Sequence, residues 1–182
     1  MRAAEMQAEE LKYFTQLEVK GIDLGKIYKE GVKTWAKRHA ARLVENITES
    51  TRRFLQRVLN RGVEEGKSNK EIAKDIRAKM TGPAAARRAF TIARTETHTA
   101  TQKGSYETAA QSGLDMEKEW GATEDDRTRL SHSLADGQVV ALDELFAVGG
   151  VFMAYPGDPT GPAKEVINCR CVALYWPKGL RS

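Results

Sequence analysis

No run of about 18 apolar residues occurs in this 182-residue chain, so no membrane-spanning helix is expected. Its opening, amphipathic and acid-containing, lacks the charged stub and apolar stretch of a secretory signal. Cysteine is almost missing. The only two, Cys169 and Cys171, stand one residue apart and cannot build a disulfide framework, which fits a reducing compartment such as bacterial cytoplasm. Proline is scarce at 5 residues, and with 41% apolar and 30% charged residues the composition excludes wholesale disorder. Several chemical signatures are missing as well. There is no GxxxxGK[ST] phosphate loop, no HExxH zinc-protease helix, no helix-turn-helix spacing and no aromatic RNA platform.

What is present begins with an uneven charge. Residues 1–90 hold 20 Lys and Arg against 12 Asp and Glu, a net of +8, whereas residues 91–182 hold 9 against 13, a net of −4. A basic half steers anionic partners, nucleic acid or an acidic protein surface, although a solvated helix face produces the same count.

The first 112 residues read as successive helices. Ile27, Tyr28, Val32, Trp35, His39, Leu43 and Ile47 recur at mostly three- and four-residue spacings, which predicts one long helix with an apolar stripe. Phe54, Leu55, Val58, Leu59 and Val63 form a second stripe, ending near Gly66, with Arg52, Arg53, Arg57 and Arg61 as its cationic face. Ser68-Asn69-Lys70-Glu71 has the form of a capping box opening a short helix with Ile72, Ile76 and Met80 on one side. Thr81-Gly82-Pro83 breaks that helix, Pro83 being the expected first residue of the next, which runs over about 84–111 and closes at Ser112-Gly113.

Beyond Gly113, glycines at 121, 137, 149, 150, 157 and 161 and three prolines in one loop permit only short elements. Strands are predicted over 116–122, 138–141, 151–155 and 165–176. The fold expected is α+β: long N-terminal helices followed by a small mixed α/β head with a short antiparallel sheet. It divides into a basic helical arm over residues 1–66 and an α+β domain over residues 67–182.

Three pieces of this chain carry an identification together. They are Ile92-Ala93-Arg94-Thr95-Glu96 on the long helix; Trp120 followed by Asp126-Arg127-Thr128-Arg129, His132 and Asp136-Gly137; and Asn168-Cys169-Arg170-Cys171 near the end. In order and spacing they resemble the phage Mu protein F (MuF) family of minor head proteins, over roughly residues 68–176. The resemblance implies a structural virion component acting at the portal vertex in head assembly, and in DNA packaging or ejection. Its implied partners are the portal protein or the major capsid protein, and packaged double-stranded DNA. Its implied location is the virion, in the head interior or at the portal vertex, and the host cytoplasm during assembly. Related domains also occur fused to toxin modules, which keeps a head-carried effector in view.

The residues admit physical readings of their own. On a strand, Cys169 and Cys171 would project to one face about 6.5 Å apart along the chain. They can share a structural zinc with His132 and either Asp126 or Asp136, or pack as small apolar groups. No other cofactor is expected. Asn168 and Arg170 would face the other way, Arg170 making a forked pair with Asp126 or Asp136. Arg94 and His98, four apart on a helix, can be bridged by a loop acid. Arg94, Glu96, His98, Asp126, Arg129, His132, Asp136, Asn168 and Arg170 thus form an expected structural polar hub, with no catalytic residue required. The alternative is an effector enzyme, a nuclease or an ADP-ribosyltransferase-like protein, with His132 as general acid or base, Arg127 and Arg129 on phosphate charge, and Glu96 orienting them. Arg52, Arg53, Arg57 and Arg61 are the expected nucleic-acid or partner contacts. The long N-terminal stripe, too long for a small head to cover, suggests helix-to-helix contact with another copy, as a homo-oligomer through these helices, or with a portal subunit.

Overall fold

The computed structural model describes residues 23–39 and 48–179. Four helices come first: α1 (Leu24–His39), α2 (Glu49–Glu64), α3 (Asn69–Arg77) and α4 (Ala85–Gln111). Thr48 caps α2 by accepting from the Thr51 amide at 3.3 Å. Ser68 and Glu71 make the expected capping box, Glu71 Oε2 accepting from the Ser68 amide at 2.8 Å. Pro83 stands in the turn before α4, two residues ahead of its first residue, instead of opening it.

One apolar cluster joins all four helices: Val32, Trp35 and Ala36 from α1, Leu55 and Leu59 from α2, Ile72 and Ile76 from α3, and Ala89, Ile92, Ala93 and Ala100 from α4. Ile72 and Ile76 are fully buried, each burial being worth about 1.5–3 kcal/mol. This corrects the reasoning from an uncovered stripe. Its described part packs on α2 and α4 of the same chain, so Val32 and Trp35 need no second copy to cover them. The side chain of His39, together with Leu43 and Ile47, lies outside the described residues. The close approach of α1 and α4 depends on glycine. A methyl group on Gly31 would sit 3.3 Å from Gly104 Cα, and one on Gly104 only 2.4 Å from Val32 Cγ2.

The head follows as β1 (Met116–Gly121), α5 (Leu130–Ser133), β2 (Val139–Ala141), β3 (Phe146–Val148), β4 (Val151–Met153), α6 (Ala163–Val166) and β5 (Val172–Pro177). The sheet is antiparallel in the order β2-β1-β5, and β3-β4 is a separate hairpin. The α+β expectation holds. Sequence reading passed over β3, although Gly149-Gly150, both at positive φ, supplies the two-residue turn that such a hairpin requires. The predicted strand over 151–155 stops at Met153 because the Ala154 amide donates to Asp158 Oδ2 at 2.8 Å instead of to a ladder.

The larger correction concerns the stretch 165–176. Only its second half is strand. Pro162 stands at the N-cap position of the one-turn α6, and Asn168, at φ 58, turns the chain through the left-handed region before β5 begins at Val172. Cys169 and Cys171 therefore sit in a turn and not on a strand face. They join the head core of Trp120, Phe146, Val148, Met153, Val166 and Ala173.

Candidate functional site

The contact between helical layer and head is made largely by polar side chains. Thr95, Thr99 and Gln102, at spacings of four and three, are at most 5% exposed on one face of α4. Thr95 Oγ1 accepts from the Asn168 amide at 3.1 Å, Thr99 Oγ1 donates to the Gly157 carbonyl at 2.9 Å, and Gln102 Oε1 accepts from the Ala173 amide at 2.9 Å. Arg94 Nη2 donates to the Asn168 carbonyl at 3.3 Å. Each such bond is worth about 1 kcal/mol net, but breaking one leaves a buried backbone group unpaired at about 1–3 kcal/mol. Periodicity of apolar residues cannot reveal this face, because what it buries is hydrogen-bonding.

The turn over 167–171 is held from both sides. Arg129 donates to the Ile167 carbonyl from the α5 side, while Arg94 and Thr95 take both backbone groups of Asn168. Asn168 thus serves through its backbone, its side chain being of a type that tolerates the left-handed region. Arg170 makes the forked pair expected of it, but with Asp125 and with neither of the two acids anticipated. Asp125 heads a turn in which it also accepts from the Arg127 amide at 3.0 Å and from Thr128 Oγ1 at 3.2 Å. The Arg170 guanidinium, and with it these donors, holds the Asp125 carboxyl far below the usual carboxylate range. Asp126 is exposed, and Asp136 instead accepts from the Ala122 amide at 2.7 Å. Neither is the fork's acid.

Beneath this collar lies a closed cluster. His132, Cys169 and Cys171 are 1%, 2% and 3% exposed, and their donor atoms all lie within 4.8 Å of one another. His132 Nδ1 is 3.2 Å from Cys171 Sγ and 3.8 Å from Cys169 Sγ. Its Nε2 meets Glu165 Oε2 at 3.1 Å, and Glu165, itself 4% exposed, also accepts from Ser131 Oγ at 2.8 Å. Trp120 closes the imidazole edge-on at 5.4 Å between ring centroids. The two thiols are unlike. Cys171 is pushed down because it accepts from the Cys169 thiol, His132 adding to the effect, and Cys169 is pushed up as the donor of that pair. Of the expected metal ligands, His132 and both cysteines come together; Asp126 and Asp136 do not. The carboxylate beside them is Glu165, which sequence reading missed. Its nearest signal was Gly149: a methyl there would stand 2.6 Å from Glu165 Oε1.

Two further members of the expected hub differ from their assigned roles. No loop acid joins His98 to Arg94: His98 Nε2 has no hydrogen-bond partner among the described residues. Burial, aided by Arg94, lowers the His98 pKa to about 4, so the ring is neutral against the loop at Gly157. Glu96 is 5% exposed within the interior. The unforeseen group is Lys118, on the inward face of β1 and fully buried. Its Nζ donates to the Ala154 carbonyl at 2.8 Å and lies 5.2 Å and 5.1 Å from the ring centroids of Tyr106 and Phe146. Desolvation lowers its pKa to about 8, against the pull of Asp143 and Asp158.

On α2, Arg53, Arg57 and Arg61 are exposed and Arg52 is half-buried, with Arg52 and Arg53 within 3.8 Å and 3.6 Å of Glu49. They form a cationic outer face remote in sequence from the cluster.

Fold and site define a small α+β module fastened by polar bonds to a helical layer and built around a buried His–Cys–Cys group. Residues 53–174 match the family described as Phage Mu protein F like protein, and the chain belongs to that family. The match begins inside α2, earlier than the motifs alone reach, in keeping with a core that α2 shares with α3 and α4. Among similar proteins, an NAD(+)–arginine ADP-ribosyltransferase, EFV, of Enterococcus faecalis (strain ATCC 700802 / V583) is 39% identical over 116 residues, 62% of this chain and 23% of that protein. Minor head protein GP7 of Bacillus phage SPP1 is 35% identical over 118 residues, 63% of this chain and 37% of GP7. YqbB of Bacillus subtilis (strain 168), an uncharacterized protein, is 30% identical over 142 residues, 76% of this chain and 46% of YqbB. The chain thus spans less than half the length of each of these relatives. No solved structure matches it.

Proposed function

We propose that this chain works as a minor head protein of a tailed phage, a structural part of the virion that docks at the portal vertex during head assembly. The observation that carries the reading is the family match over residues 53–174, which takes in the whole polar hub, together with the likeness to a phage minor head protein. Docking needs a surface, and α5 offers one. Leu130, which opens α5, and Leu134, just past its end, are 75% and 78% exposed, close in sequence to the buried cluster at His132. The portal protein or the major capsid protein of the same phage is the proposed partner, and the head interior the proposed location. The Arg53, Arg57 and Arg61 face is proposed to meet packaged DNA through its phosphates.

The test is co-expression of the full chain with the portal protein of its own phage, followed by size-exclusion chromatography at moderate salt. Co-migration is expected. Separate elution from the portal protein, and from the major capsid protein in a parallel co-expression, would overturn the reading.

A second reading, an effector enzyme, is favoured by the likeness to an ADP-ribosyltransferase. The aligned segment is 23% of that protein, which suits a shared docking domain joined to different further parts. A general acid or base must come within hydrogen-bond reach of its substrate. His132 and Glu96, 1% and 5% exposed, are poorly placed for that, and the enzyme reading stands second.

A further inference from the structure

The polar hub contains one group of atoms that hydrogen bonding explains poorly. His132 Nδ1 faces two sulfurs at 3.2 Å and 3.8 Å, and a single ring nitrogen can place one proton or one lone pair toward only one of them. Its other nitrogen, Nε2, faces Glu165 Oε2 at 3.1 Å. With the proton on Nε2, toward that acceptor, the Nδ1 lone pair is directed at the thiols, which is the tautomer a metal-binding imidazole needs. A carboxylate behind the imidazole is the usual support of a metal-binding histidine. Here the support is itself built in, with Ser131 Oγ donating to Glu165 at 2.8 Å and Gly149 leaving the space its carboxylate fills.

We propose that His132 Nδ1, Cys169 Sγ and Cys171 Sγ bind one zinc ion, which fastens the turn over 167–171 to α5. Zinc bonds of about 2.3 Å to sulfur and about 2.0–2.1 Å to nitrogen, at tetrahedral angles, place ligand atoms about 3.5–3.8 Å apart. The two nitrogen–sulfur distances lie around that value, and the whole set fits within 4.8 Å. Two soft thiolates and an imidazole select zinc over magnesium or calcium, which take oxygen ligands. Charge agrees. Binding displaces one proton from each thiol, so the ion and two thiolates are neutral together, which suits a group only 1–3% exposed. The Thr123 backbone amide donates to the Cys171 sulfur, supporting charge there. Three protein ligands leave one of the four tetrahedral positions of zinc open.

This inference is independent of the portal reading, and its test has no need of phage partners. The full chain is produced in zinc-supplemented medium, purified under reducing conditions and assayed for metal and protein. About one zinc per chain is expected. The ion is then removed by a chelator and replaced with cobalt, which should give an intense near-ultraviolet thiolate-to-cobalt charge-transfer band. Cys169→Ser and Cys171→Ser should each weaken that band, and should leave the thermal transition insensitive to added zinc. If these variants do not fold, the wild-type stoichiometry and cobalt spectrum decide alone. A folded wild-type protein holding less than about a tenth of an equivalent of zinc, and showing no charge-transfer band with cobalt, would overturn the proposal.

Discussion

Replacing Gly104 by alanine tests whether α1 belongs to the body of the fold. Gly104 lies within α4, where alanine is worth about 1 kcal/mol more than glycine by helix propensity alone. The added methyl would come within 2.4 Å of Val32 Cγ2 and 3.1 Å of two Tyr28 ring atoms. Val32 is 6% exposed and, being β-branched in a helix, has essentially one rotamer, so α1 itself must give way. Overpacking of this kind costs about 1–3 kcal/mol, and a 2.4 Å contact belongs in the upper part of that range. The net expectation is a loss of about 1–2 kcal/mol, which lowers Tm by roughly 2–8 °C for a chain of this size. Thermal unfolding followed by circular dichroism measures it. The double variant Val32→Ala/Gly104→Ala makes room for the new methyl, so the two changes should couple favourably by about 0.5–3 kcal/mol. A Gly104→Ala protein with a raised Tm, or a strictly additive cycle, would refute the packing of α1 on α4.

Three other expectations follow from the same geometry. Lys118 titrates near 8 when folded and near its ordinary 10.5 when unfolded, so unfolding takes up a proton between these values and stability should rise with pH across that window, by about 3 kcal/mol in all. Denaturant titrations at pH 8 and 10.5 should show this rise, and Lys118→Met should flatten it; an equal slope in both proteins would contradict it. At Asn168 the left-handed backbone predicts that Asn168→Gly is tolerated within about 0.5 kcal/mol, whereas Asn168→Val loses about 1–2 kcal/mol, with equal Tm values for the two variants as the refuting result. If Arg53, Arg57 and Arg61 each meet a phosphate, changing all three to alanine should reduce the slope of log affinity for duplex DNA against log salt by about 2.7, and an unchanged slope would remove the DNA contact.

The fold was legible where hydrophobic period and capping chemistry speak. The stripe of α2, the described part of the α1 stripe, Ile72 and Ile76 on α3, the box at Ser68 and Glu71, and the stop at Ser112-Gly113 lie where the sequence predicts them, whereas Met80 falls beyond the end of α3. It was less legible where backbone groups are paired by side chains from elsewhere in the chain. The composition of the stretch 165–176 suggests one strand, yet its first half is turned by Pro162 and Asn168 and held by Arg94, Thr95 and Arg129, none of which a local window can weigh. The site was read in part. The sequence brings His132, Cys169 and Cys171 together, but it points Arg170 to Asp126 or Asp136, and the acid of the fork is Asp125. Glu165 and Lys118 escaped because a buried carboxylate and a buried lysine look in sequence like ordinary surface charge, and only the tertiary fold shows Lys118 enclosed by Tyr106 and Phe146.

The most direct test of the head-assembly reading uses the exposed side of α5. Leu130→Glu/Leu134→Glu alters two side chains that are 75% and 78% exposed, so its Tm should match that of the parent chain. Heads assembled with the portal and capsid proteins of the same phage, purified and quantified by mass spectrometry, should contain the parent chain at a fixed ratio to the portal and the double variant at a small fraction of it. Equal amounts of the two in purified heads, or no parent chain there at all, would contradict the account.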